Sequence, residues 1–349
     1  MVNSATIFET SGIHCVVDGQ FGSTGKGALT AWLADQAIIR GLGSTFGGCL
    51  YSGGPNSGHT FYHNDNKVVL KQLPTFAIYL YLHGYNPPVF LTAGAIIDRD
   101  ILKEEAIRYP RLNIYVHPNA AIVTDEDKKA ELSGSIAEVA GTRSGTGAAL
   151  ARKIERHPNA IARNSLGVIA PNVTLDDRHL MPKVMPYFME VSQGFSLGIN
   201  SMFYPKVTSR ECTVMQGLAD ARIPAAMLSR TYMSARTYPI RVGNVDGHSS
   251  GDWYPDQRET TWDEINQTPE LTTVTQRVRR IATFSMMQFT DACFANMPDV
   301  VFISHMDYFS KPKQEKFKED MRLIRSVMGM KYSLMYGYGP KIDDIIFGG

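Results

Sequence analysis

A strand that breaks into a glycine-rich turn and restarts as a helix leaves a chain few ways to fold, and residues 15–36 read CVVDGQFGSTGKGALTAWLADQ. The run into Asp18 is apolar and β-branched, the glycines at 19, 22, 25 and 27 free the backbone to turn, and helix formers follow. Backbone N–H groups in such a turn, at the head of a helix, form an anion nest. Lys26 adds a point charge for a terminal phosphate. The spacing is not that of the common loop G-x-x-x-x-G-K-[ST]. Gly25-Lys26 is there, but the first glycine is Gly19, Gln20 stands where glycine belongs, and Gly27 replaces the hydroxyl that binds Mg²⁺. A phosphate loop with its metal ligands elsewhere fits these residues; a tight strand-to-helix turn without a ligand is the plainer alternative.

Further apolar runs at 14–19, 88–97 (in part) and 299–307 predict buried strands, several opening into Gly-rich loops. Helical stretches are expected at 26–39, 98–108 and 312–328. This alternation predicts an α/β fold with a mostly parallel central sheet flanked by helices, and ligands at the carboxyl ends of the strands. No repeat or low-complexity linker divides residues 1–349, so one domain is expected, with 244–262 a polar surface loop. The net charge of +1 provides no global field for nucleic acid or an anionic membrane, and neither is expected as a partner. The longest apolar runs are too short to span a bilayer. MVNSATIFET lacks the pattern of a secretory signal. Cys15, Cys49, Cys212 and Cys293 lie far apart without a CxxC pair, which predicts reduced core thiols and a cytoplasmic protein.

Other motifs join the loop. GGPNSGHT (53–60), AGTRSGTGAA (140–149), SQGFSLGINSMFYPKVTSR (192–210), IRVGN (240–244), VTQRVRR (274–280), SHMD (304–307) and GYGP (337–340) follow in order. With GQFGSTGKG they resemble the adenylosuccinate synthetase family: GQWGDEGKG, GGxNAGHT, GTTG-x-G-x-GPA, QG…YPYVTSS, TRVGAG, TTGRRRR, TKLD and STGP. The resemblance implies that family's P-loop-like fold and a ligase that uses a nucleoside triphosphate and Mg²⁺. A phosphoryl group goes to the 6-oxygen of a purine monophosphate, and the amine of L-aspartate then displaces it. Phosphoryl transfer of this kind is mostly positioning and charge neutralisation.

Carried over by motif, the resemblance gives each residue an expected role. Gly22, Thr24, Gly25, Lys26, Gly27, Gly58, His59 and Thr60 would bind the triphosphate, and His305, Asp307, Gly337, Gly339 and Pro340 its base. His59 matches a general acid at the oxygen that gains charge. Gln193 matches the residue that hydrogen-bonds the purine edge. Asn56, Thr142 and Thr208 match the 5′-phosphate site, reached by Arg156 from the partner of a homodimer, while Val242 and Gly243 match the ribose-facing segment. Val274, Thr275, Arg277 and Arg279 match the L-aspartate loop, where guanidinium forks suit a dicarboxylate. Ser23 and Gly58 fall at the Mg²⁺ ligands. Taken alone, His59 in a loop, the RVRR run or an exposed Arg156 is an ordinary structural or surface residue.

Three departures sharpen the expectation. Ser23 stands where the family has the carboxylate that removes the purine N1 proton, and Thr24 replaces the next acid. SHMD puts His305 in place of the lysine of a guanine-reading Lys-x-Asp pair, against a preference for GTP. VTQRVRR remodels the aspartate loop but keeps two arginines at matching spacing. A serine is no general base at neutral pH without an activating neighbour. It does leave room beside N1 for the 2-amino group of guanine. In this the chain resembles the phage branch of the family, which converts dGMP to N6-succino-2-amino-2′-deoxyadenylate with ATP or dATP for 2-aminoadenine DNA, in the host cytoplasm. The alternatives are the ordinary reaction of IMP, L-aspartate and GTP, and a non-catalytic nucleotide-binding homologue. The group that takes the N1 proton stays open between Asp18, water and phosphate.

Overall fold

The computed structural model describes residues 7–132, 141–178, 180–245, 247–272 and 276–348. Strand β1 (Gly12–Asp18) is buried along its whole length, as a strand covered on both faces must be. It is central in a ten-stranded sheet with β2 (Gly48–Tyr51), β3 (Val89–Leu91), β4 (Ile114–Val116), β5 (Val173–Leu175), β6 (Pro186–Glu190), β7 (Leu228–Arg236), β8 (Val300–Ser304), β9 (Ser333–Gly337) and β10 (Ile345–Phe347). The order is β10-β9-β8-β7-β1-β6-β2-β3-β4-β5, and every pair is parallel except β9 with β10. The expected α/β class is thus the observed one.

Side chains alternate across β1, so Val16 enters one apolar layer while Cys15 and Val17 enter the other. Helices α1 (Lys26–Ile39) and α2 (Thr75–Leu82) cover the first layer with Leu29, Leu33 and Phe76. Helices α3 (Met286–Asn296) and α4 (Lys311–Val327) give Phe289, Phe317 and Met321 to the second. Because β1 has β6 on one side and β7 on the other, the connections diverge beyond its carboxyl end. A crevice opens there.

Helix α1 has the expected bounds, and α4 begins one residue earlier than expected. The 98–108 stretch is helical from Arg99 because Asp98 caps it, accepting from the N–H groups of Asp100 and Ile101. The expected 88–97 strand is interrupted: Ala95 N donates to Thr92 O in a turn, and Ile96–Ile97 joins a separate small sheet. The 299–307 strand stops at Ser304, since His305 has φ 59° and starts a short 3₁₀ turn. The 244–262 loop is not merely superficial. Tyr254 and Trp262 are only 4% and 5% exposed, and Tyr254 packs with Phe203 against Phe21 of the phosphate loop. Its aromatic side chains reward burial more than its polar ones resist it. All four cysteines are buried and free. No helix among the described residues is long and apolar enough to cross a membrane.

Candidate active site

Asp18 ends β1 and organises the loop that follows. Its Oδ1 accepts from Gln20 N (2.9 Å) and Gly22 N (3.2 Å), and its Oδ2 from the Thr24 hydroxyl (2.6 Å). Burial raises its pKa and nearby Lys26 lowers it. Three donors on one carboxylate make Asp18 a shaper of the turn. Gly22, Ser23 and Gly25 then adopt the left-handed region, with φ of 93°, 55° and 80°. A left-handed serine costs roughly 1–2 kcal/mol, yet Ser23 is exposed on the cavity wall. Strain of this kind persists where a side chain must be presented.

The head of α1 explains the missing hydroxyl of the common loop. A Cβ at Gly27 would lie 2.2 Å from the Thr60 carbonyl oxygen, so the hairpin at 59–70 leaves no room for a side chain. Gly27→Ser therefore separates α1 from that hairpin. We expect a loss of about 3 kcal/mol, the upper end for overpacking, read as a fall in thermal midpoint. An unchanged midpoint would contradict this packing.

Two polar groups face this loop, one from the strand that begins at His59 and one from the segment after β6. The His59 Nδ1 lies 2.9 Å from Glu190 Oε2, on a carboxylate that is fully buried and also accepts from Phe76 N. The carboxylate fixes the ring and directs Nε2 away from itself; this buried atom has no hydrogen-bond partner among the described residues. Gln193, at φ 66°, likewise has a buried Nε2 without such a partner. Between them Lys26 Nζ donates to the carbonyls of Val191 (2.6 Å) and Gln193 (3.1 Å). Burial lowers the Lys26 pKa, while Asp18 and Glu190 raise it. A buried cation, the unmet Gln193 amide and a His59 nitrogen without a partner among the described residues make a site for a charged, oxygen-rich ligand.

These groups border a cavity of about 770 Å³ at the carboxyl ends of the strands. Gly22, Ser23, Gly25, Lys26 and Gly27 form one wall, with Asn56, Gly58, His59 and Thr60 beside them. Thr142, Gln193, Val242 and Gly243 line another part, as do Arg277 and Arg279, and then His305, Asp307, Gly339 and Pro340. Most of the expected site residues therefore share one cavity. Thr24 does not: its hydroxyl is turned inward to Asp18 and Ser234. Gly337 lies within β9, where a Cβ would meet the Phe302 ring at 2.7 Å. Thr208 stands one layer back, 3.5 Å from Asn56 Nδ2. Arg156 is exposed outside the cavity, at φ 66° just past the helix Thr146–Ile154. Val274 and Thr275 lie outside the described residues.

The sequence did not point to Glu190, Arg236, Glu270 or Tyr308. Arg236 is wholly buried, donating from Nη1 to Ser23 O (3.1 Å) and Glu270 Oε2 (3.2 Å), and from Nη2 to Glu270 Oε1 (2.5 Å). The Tyr308 hydroxyl adds a bond to Glu270 Oε1 at 3.2 Å. Thus the loop with Ser23, the loop with Arg277 and Arg279, and the turn after β8 meet at one ion pair. Burial, then repulsion from Arg236, lowers the His305 pKa to about 3, so its ring is neutral where a lysine would be charged. One clue was available: Glu190 is a lone carboxylate ending the apolar strand PYFME.

The described residues include no group of three or more His, Cys, Asp or Glu able to cage a metal. Ser23 and Gly58 offer only neutral oxygens on the cavity wall. That donor set suits Mg²⁺ held largely by phosphate oxygens and water, not by protein alone.

The sequence matches the family model of adenylosuccinate synthetase over residues 15–166 and 172–318. The N6-succino-2-amino-2′-deoxyadenylate synthase of Vibrio phage phiVC8 is 34% identical, over 95% of this chain and 97% of that one. The cyanophage S-2L protein of the same name is 33% identical, over 99% and 95%. The adenylosuccinate synthetase of Pyrococcus sp. strain ST700 is 24% identical, over 95% and 97%. In three dimensions the chain superposes with a TM-score of 0.84 on the cyanophage S-2L succinoaminodeoxyadenylate synthetase bound to dGMP and dATP as an energy donor, at 31% identity over 97% of this chain and 96% of that one. The adenylosuccinate synthetase of Plasmodium falciparum shares the fold at a TM-score of 0.73 and 17% identity, over 97% of this chain and all of that one.

Proposed function

The chain belongs to the adenylosuccinate synthetase family, and from that premise we propose that it is a ligase joining L-aspartate to the 6-position of dGMP. ATP or dATP supplies the phosphoryl group, and the products are N6-succino-2-amino-2′-deoxyadenylate, the nucleoside diphosphate and phosphate. The observation that carries this is Ser23, a short neutral side chain presented on the cavity wall where the family has a carboxylate. The phage relatives named for this reaction, one of them solved with dGMP and dATP, support the choice of substrates.

The γ-phosphoryl group moves to purine O6 as N1 loses its proton; the aspartate amine then bonds to C6 and O6 leaves within phosphate. Lys26 and the amides around Gly22–Gly27 hold the triphosphate, and its base lies against His305, Asp307 and the Gly337–Pro340 turn. The neutral His305 ring fits adenine better than the charged partner guanine would meet in the family. Gln193 Nε2 donates to O6 as charge builds on it, and His59 Nε2 does so from the imidazolium form, since Nδ1–H is committed to Glu190. Asn56 and Thr142, backed by Thr208, take the 5′-phosphate; Arg156 reaches it from the partner in a homodimer. Val242 and Gly243 face the sugar. Arg277 and Arg279, with Val274 and Thr275, hold the carboxylates of L-aspartate. Ser23 and Gly58 would hold Mg²⁺ together with the phosphates, and the bound ion would supply charge neutralisation there.

Phosphate release with dGMP and ATP, measured with and without L-aspartate, tests this. Release only with aspartate is expected. Nucleotide binding without aspartate-dependent release would mark a non-catalytic homologue, and release without aspartate a kinase.

A further inference from the structure

L-Aspartate carries two carboxylates and an ammonium, whereas Arg277 and Arg279 provide for the carboxylates only. Among the described residues of the cavity wall, three bear a carboxylate: Asp18, Asp307 and Glu270. Asp18 is 1% exposed and already accepts three donors within its own loop. Asp307 belongs to the turn after β8, on the side given to the triphosphate base. Glu270 stands at the head of the arginine loop itself, its backbone carbonyl accepting from Arg279 N at 2.9 Å.

The Glu270 side chain is prepared for a cation. Arg236 donates to both its oxygens and Tyr308 to Oε1. A carboxylate has about four lone-pair sites, so these donors leave one on Oε2. The side chain remains 28% exposed, whereas its partner Arg236 is fully enclosed. Burial alone would raise its pKa, but the Arg236 guanidinium beside it brings the group down to about 2. Glu270 is therefore charged at neutral pH, an ion-pair partner and too weak a base to take the proton.

We propose that Glu270 holds the α-ammonium of L-aspartate while Arg277 and Arg279 hold its carboxylates. This rests on the ligase reading above. A third point of attachment places the nitrogen beside C6, and Arg236 ties that point to the Ser23 carbonyl of the phosphate loop. The ammonium gives its proton to water or the phosphate oxygens before the neutral amine bonds to C6. Aspartate and the purine are thereby placed by one rigid pair.

The test uses succinate, which has both carboxylates and no ammonium. With the full chain, dGMP and ATP, the KM for L-aspartate and the Ki of succinate are measured for wild type and Glu270→Gln. A charged hydrogen bond lost to the ammonium raises the KM for aspartate about tenfold or more and leaves the succinate Ki within about twofold. Parallel weakening of both would mean that Glu270 only braces the loop, and would overturn the proposal. The wild-type protein gives a second check without a variant: succinate is expected to bind at least about tenfold more weakly than L-aspartate, and equal affinity overturns the assignment. Absence of any aspartate-dependent phosphate release would instead sink the ligase reading, so the two failures are distinguishable.

Discussion

Ser23→Asp is expected to lower the kcat/KM for dGMP and raise that for IMP, reversing the preference for the 2-amino purine. Residue 23 sits at φ 55°, a conformation that aspartate tolerates better than most residues, so the substitution leaves the loop folded. Its backbone carbonyl keeps the bond from Arg236, because only the side chain changes. In the proposed function, what changes is the space and charge beside purine N1. A carboxylate there takes up room that the 2-amino group of guanine needs, and supplies the base that IMP chemistry in the family uses. Discrimination by a single pocket group is of the order of 10–200-fold. We expect a shift in the dGMP/IMP ratio of about a hundredfold on that scale. Steady-state kinetics with both monophosphates measures it, and an unchanged ratio would show that Ser23 does not set substrate size.

The second large effect falls on His59. Its ring is held at Nδ1 by the buried Glu190 carboxylate, so Nε2 is delivered to the cavity without freedom to turn. His59→Asn retains an amide that can still donate to Glu190, preserving the packing, but removes the nitrogen proposed to donate as charge develops on O6. General acid catalysis contributes about 10²–10⁴-fold, and a fall in kcat within that range is expected with the KM for dGMP little altered. Such a split marks an interaction made in the transition state only. Single-turnover phosphate release under saturating substrates checks it; a kcat close to wild type would remove His59 from the chemistry.

The parts of this site that the sequence revealed are those written locally. The strand-turn-helix from Cys15 to Gln36 carries its own strand, its glycines and its lysine within one short stretch, and α1 has the expected bounds. The same holds for the loops at 53–60 and 304–307, which reach the cavity because each follows a parallel strand. The supporting charges were not legible. Glu190 meets His59 across 131 residues of chain, and Arg236 meets Glu270 only because β7 and the arginine loop converge beyond the sheet. No local pattern distinguishes a buried arginine from an exposed one. Thr24 shows the converse: its place in the motif pointed to the ligand, but the carboxylate of Asp18 draws its hydroxyl inward.

In the proposed function this cavity admits a 2-amino purine monophosphate and an adenine triphosphate. This selectivity is tested most directly by one substrate matrix: IMP, dIMP, GMP and dGMP, each with ATP, dATP and GTP, in the presence of L-aspartate, with the succinylated product identified by mass. Product is expected from dGMP with ATP or dATP, and little from IMP with GTP. Product from IMP and GTP in preference to dGMP would contradict it.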